Sequence, residues 1–139
     1  MLAGKSSLVQ AARGVLAMGP RMLVVKHGEH GATAFFSERA FGGVSVARRP
    51  FRAPTLPLDE VVDPTGAGDS FAGGFYGYLA SQKELTPEVF KTAMFYGAVM
   101  GSFAVERFGT ERLQAVTREE IDERFQHLRE ISHLGDTGA

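Results

Sequence analysis

The segment VVDPTGAGDSFAGGFYGYLA, residues 61–80, limits the fold of this chain more than any other stretch. It passes from two β-branched residues through an Asp-Pro pair and a glycine-rich turn into apolar residues at helical spacing, since Phe71, Ala72, Phe75, Tyr78 and Leu79 share one helix face. A short strand, a turn and a helix joined this tightly place the turn's backbone N–H groups and the positive end of a helix dipole around one point in space. Such a point attracts an anion. Gly66 and Gly68 permit unusual dihedrals and let a ligand touch the main chain. Asp69 is the only charged side chain between Pro64 and Lys83. A carboxylate there can take a proton from a hydroxyl while the N–H groups steady the charge on a transferring phosphoryl group. The alternative on spacing alone is a structural turn in which Asp69 only complements the helix dipole.

The flanking sequence predicts an α/β fold. Ser6 or Ser7 caps a helix through Leu8, Val9, Ala12, Val15 and Leu16, which Gly19-Pro20 ends. MLVVK, residues 22–26, reads as a strand buried on both faces, broken by HGEHG. ATAFF (32–36) and VSVAR (44–48) read as an antiparallel pair, and the prolines at 50, 54 and 57 predict an ordered loop before a short strand at VVD. After the glycine-started helix, Thr86-Pro87 opens a second helix that is apolar nearly all round. The capping box Thr117 to Glu120 opens a third, which buries Ile121, Phe125 and Leu128. Residues 135–139 are expected to be a disordered tail after a single domain over 1–134.

Composition narrows the function classes. The 139 residues, 44% apolar, suffice for one core. A net charge of −1 with interspersed signs lacks the footprint of a nucleic-acid or membrane-surface protein, and no apolar run is long enough to span a bilayer. With no cysteine and no basic-then-apolar leader pattern, the expected location is cytoplasmic. Four other motifs read as structural. AGKSS imitates the end of a P-loop without its first glycine or preceding strand. His27 and His30 are too few for a zinc site, and Glu119, Glu120, Asp122 and Glu123 suit the first turn of a capped helix. Phe90, Met94, Phe95, Tyr96 and Met100 suit a helix core rather than a platform for bases.

DPTGAGDSFAGGF, residues 63–75, resembles the C-terminal signature of the ribokinase-like (PfkB-type) carbohydrate kinases, a string of about a dozen positions in the strand, turn and helix context such a motif requires. VVKHGEHGATAFF is similar to the family's strand, KxGxxG turn and strand, and SFAVERFGTE to its later nucleotide-side and cation loop. The resemblance implies the C-terminal portion of a three-layer fold with a central, mostly parallel sheet flanked by helices. It implies that Asp69 is the catalytic base, with Gly66, Ala67, Gly68 and the N–H of Asp69 as the anion hole. By the same resemblance Gly28 and Gly31 wrap the phosphates and ribose of ATP with Lys26 beside them, although a lysine ending a strand can also simply reach solvent. Gly97 falls where many members carry an Asn or His close to the adenine. Asp63, with Ala104, Arg107 and Gly109, matches a monovalent-cation site, so ATP, Mg²⁺ and K⁺ are the implied cofactors.

The resemblance implies a departure from the family: the chain is expected to start beyond the N-terminal half, which carries the lid, most of the acceptor pocket and an acidic NxxE-type motif. The expectation is therefore an ATP-dependent phosphotransferase acting on a sugar or nucleoside hydroxyl, associating with a second copy or with the missing half. A non-catalytic nucleotide- or phosphate-binding remnant and a purely structural fragment are the alternatives.

Overall fold

A computed structural model describes residues 7–41, 49–59, 61, 66–106 and 114–134. Helix α1 (Leu8–Ala17) starts at Ser7, whose hydroxyl accepts from the Gln10 N–H at 3.1 Å. Strands β1 (Met22–Lys26), β2 (Ala32–Phe36) and β3 (Phe51–Ala53) form a three-stranded sheet in that order. Met22 lies opposite Phe36 and Lys26 opposite Ala32, and on the far side of β2 Ala32 lies opposite Ala53. The remaining helices are α2 (Ala67–Ser81), α3 (Pro87–Ala104) and α4 (Arg118–Ser132). Thr86 caps α3, accepting from the Val89 N–H at 3.2 Å. At α4 both halves of the capping box form, Thr117 Oγ1 accepting from the Glu120 N–H at 3.2 Å and Glu120 Oε2 from the Thr117 N–H at 2.9 Å.

Strand alternation assigns the two faces of the sheet to different helices. Met22, Val24, Ala32, Ala34 and Phe36 pack against Phe75 of α2 and Ala93 and Met94 of α3. Leu23, Val25 and Phe35 turn the other way, onto Ala12 and Leu16 of α1. A second core joins α3 to α4 through Val99, Phe103 and Leu128, with Leu56 from the loop after β3. Helices α2 and α3 meet closely where Gly74 faces α3, since a Cβ there would lie 2.6 Å from the Tyr96 carbonyl oxygen. Among the described residues no helix is long and apolar enough to cross a membrane.

The α/β class stands, with helices on both faces of the sheet, and several details differ from expectation. The described strands are antiparallel throughout, where the whole fold was expected to be mostly parallel. β1 does meet helices on both faces, but it is half-buried because it forms an edge of the described sheet. The proline-rich stretch expected to be a loop contains β3. Pro50 and Pro54 flank that strand without interrupting it, and an edge strand tolerates them because only one side needs ladder N–H groups. Val61 is exposed and outside any strand. The expected strand at VSVAR, the rest of VVD and the tail at 135–139 lie outside the described residues.

Candidate active site

The residue that opens α2 has no side chain. Gly66 occupies the N-cap in the left-handed region, φ +83°, a conformation that glycine adopts without strain. The helix ladder begins with the Ser70 N–H donating to the Gly66 carbonyl at 2.9 Å, and Gly66 itself has no side chain to cap the N–H groups of Ala67, Gly68 and Asp69. Those donors and the positive dipole end are therefore available to an anion.

Lys26 Nζ also reaches the first turn of α2 from 42 residues away, donating to the Gly68 carbonyl at 3.3 Å. A Cβ on residue 68 would lie 2.8 Å from that ammonium, so a side chain there would push the end of the lysine aside. The turn after Lys26 is tightened by the His27 N–H donating to the Gly31 carbonyl at 2.7 Å, and His27 Nε2 lies 2.9 Å from the Thr33 hydroxyl. Gly28 and Gly31 have φ +59° and +89°. A Cβ on Gly31 would overlap the Ala53 carbonyl oxygen, so this turn can sit against the end of β3 only as glycine.

These elements surround a cavity of about 560 Å³. Lys26, Gly28 and Gly31 form one side, Thr55–Leu58 and Val61 a second, Ala67, Gly68 and Phe71 a third, and the C-terminal half of α3 the last. Its walls are mainly apolar, with Lys26 and Glu29 as the charged residues among them, an arrangement that suits a planar heterocycle carrying a polar tail.

The predicted residues divide accordingly. Lys26, Gly28, Gly31, Ala67 and Gly68 line the cavity, and Gly66 caps the helix at its rim. Asp69 stands exposed in the first turn of α2 and is not part of the wall. Gly97 is not in the wall either. It is buried against α2, where a Cβ would lie 2.9 Å from the Phe71 ring, and it is Phe71 that faces the cavity. Ala104 is buried at the C-terminal end of α3, while Asp63, Arg107 and Gly109 lie outside the described residues. Among the described residues no three His, Cys, Asp or Glu side chains come together as a metal site.

Of the wall contributed by α3, Ser102 and Val105 fall in the segment whose resemblance put it on the nucleotide side, whereas Ala98 and Gly101 were not anticipated. Ala98, Gly101, Ser102 and Val105 occupy that wall, at spacings of three, four and seven from residue 98. A run of small side chains at helical spacing inside a helix read as uniformly apolar is the signal that could have found it.

Against known proteins, a family model described as pfkB family carbohydrate kinase matches residues 2–116. The chain is 36% identical over 75 residues to a cytidine kinase of Thermococcus kodakarensis, covering 54% of this chain and 24% of that protein. It is 39% identical over 70 residues to an adenosine kinase of Schizophyllum commune, covering 50% and 19%. The chain thus spans about a quarter or less of the length of these relatives. Among solved structures, a Vibrio cholerae fructokinase with fructose, ADP and potassium ion bound superposes with a TM-score of 0.72 at 17% identity, over 88% of this chain and 36% of that one. A Burkholderia thailandensis nucleoside kinase in complex with inosine gives 0.61 at 30% identity, over 81% and 32%.

Proposed function

The chain belongs to the pfkB family of carbohydrate kinases, and from that premise we propose that it is the nucleotide-side, C-terminal part of an ATP-dependent kinase that phosphorylates a nucleoside or sugar hydroxyl. The observation that carries this reading is the meeting of Lys26 Nζ and the glycine-capped first turn of α2 on the wall of one cavity. An ammonium and helix N–H groups together bind phosphate. The apolar walls at Leu56, Phe71 and Ala98 accept the base and ribose.

Asp69, in the first turn of α2 beside the N–H groups of Ala67 and Gly68, is positioned to take the proton of an acceptor hydroxyl. The acceptor oxygen forms a bond to the γ-phosphorus, the bond to the bridging oxygen breaks, and ADP leaves with that electron pair. The N–H groups of Gly68 and Asp69 hold the charge that builds on the transferring group. Gly97 acts on the nucleotide only through the ring of Phe71. Magnesium would arrive on the phosphates, since the described residues supply no acidic cluster of their own. For a monovalent cation, the C-terminal end of α3 at Ala104 fits, because the last carbonyls of a helix and its negative dipole end favour positive charge. Asp63, Arg107 and Gly109 complete that proposed site. The two relatives named above as nucleoside kinases favour a nucleoside acceptor over a free sugar. Association with a second copy or an N-terminal half, and a cytoplasmic location, belong to the same proposal.

Calorimetric titration with ATP, followed by a transfer assay with adenosine, cytidine and ribose on the full-length protein, tests it. ATP binding is expected in wild type and Asp69→Asn alike. Transfer should fall at least ~10²-fold in Asp69→Asn, the usual loss when a general base is removed. Full transfer by that variant removes Asp69 as the base, and the absence of any heat with ATP removes the nucleotide site.

A further inference from the structure

One polar cluster lies outside the predicted site yet touches its wall. Arg124 of α4 has a side chain only 21% exposed. Its Nη1 donates to the Ser102 hydroxyl at 3.0 Å, its Nη2 pairs with the Glu106 carboxylate, and its guanidinium carbon stands 3.8 Å from the centroid of the Phe103 ring. The Ser102 hydroxyl in turn donates to the Val99 carbonyl at 2.6 Å. One planar fork therefore holds three successive points, 102, 103 and 106, at the end of α3. Ser102, with Gly101 and Val105 in the same turn, lines the cavity.

Burying a guanidinium costs solvation, and burial lowers the pKa of Arg124 from its usual value. A helix could cover α3 more cheaply with an apolar side chain, as Leu128 of the same helix does at 0% exposure. What the arginine adds is direction: two hydrogen bonds and a stacked ring fix the angle of the last turn of α3 in a way that apolar contact does not.

We propose that Arg124 is a positioning residue, through which α4 locks the C-terminal turn of α3 and so sets the shape of the cavity wall and its affinity for nucleotide. The affinity part rests on the nucleotide reading of the cavity; the lock does not. Glu106 also lies two residues after Ala104, so the same fork holds the end of α3 beside the carbonyl proposed for the cation.

Two measurements on the full-length protein test it: ATP affinity by calorimetry, and amide hydrogen exchange across residues 101–106. Arg124→Met and Arg124→Lys should both weaken ATP by about tenfold, the scale on which coupled positions away from a ligand act. Both should speed exchange in that turn, lysine failing because a point charge cannot span Ser102 and Glu106 while stacked on Phe103. Leu16→Ala, on the opposite face of the sheet, serves as a control that loses stability but should leave both readings unchanged. Glu106→Gln breaks the same lock with the arginine in place, and decides the matter if Arg124→Met does not fold. Unchanged exchange at 101–106 overturns the lock. Faster exchange with unchanged ATP affinity overturns its role in binding, as does wild-type affinity in Arg124→Lys. No ATP uptake by the wild type overturns the nucleotide reading instead, with the exchange data still deciding the lock.

Discussion

On one face of the sheet, α1 sets Ala12 and Leu16 against Phe35, whereas on the other, α2 and α3 bring Phe75, Ala93 and Met94 onto Ala32, Ala34 and Phe36 inside a ring of further aromatics. Phe36, Phe41, Phe75 and Phe90 contact one another there at centroid distances of 5.4–6.3 Å. The thin face contributes nothing to the cavity, while the thick face supplies two of its four sides. Apolar packing on that side does more than stabilise. It holds the first turn of α2 and the last turns of α3 at a fixed separation, as the proposed anion site of backbone N–H groups would require.

The comparison is sharpest in core truncations. Met94→Ala, at a fully buried position between sheet and helices, should cost about 4 kcal/mol in urea unfolding, and Leu16→Ala about 2, near the upper part and at the lower end of the usual range for such changes. Equal costs would show that the two faces carry the fold equally.

A smaller effect separates two glycines of one helix. Gly74→Ala drives a methyl to 2.6 Å from the Tyr96 carbonyl oxygen and should destabilise by about 2 kcal/mol, because α2 and α3 must separate. Gly77→Ala, whose Cβ meets nothing within 4 Å, should stabilise by about 0.5–1 kcal/mol through helix propensity alone. The same sign at both positions in thermal unfolding would mean that the close approach of α2 and α3 is not what holds the thick face.

The smallest effect is alkaline. Burial, ahead of the opposing Arg118 cation, pushes the Tyr96 hydroxyl above its usual range in the stack it forms with Tyr78 and Phe125. A raised folded value means stability that is intact below the unfolded pKa of about 10 and lost as pH climbs through the folded one. Unfolding curves between pH 9 and 11 should therefore fall less steeply for Tyr96→Phe than for wild type, while Leu16→Ala keeps the wild-type slope.

Much of this could be read locally. Ser7, Thr86 and Thr117 start their helices because a cap needs only residues within one turn, and Gly66 starts α2 because a left-handed cap needs only the absence of a side chain. The fork of Arg124 could not, since its partners lie 18 and 22 residues away and nothing in the α4 sequence distinguishes it from a solvated arginine. Nor could β3, because prolines on both sides argue against a strand until β2 offers it an edge.

By itself, then, the sequence determined the helices, their starts and the glycine turn that opens α2, because propensities, caps and dihedral limits act over a few residues. The tertiary structure alone decided that Lys26 crosses 42 residues to Gly68, that Phe71 rather than Gly97 faces the cavity, and that α3 turns its small residues toward it. Those outcomes depend on how closely separate elements approach. Approach is set by the summed fit of many side chains across the core, a quantity that no short stretch of sequence contains.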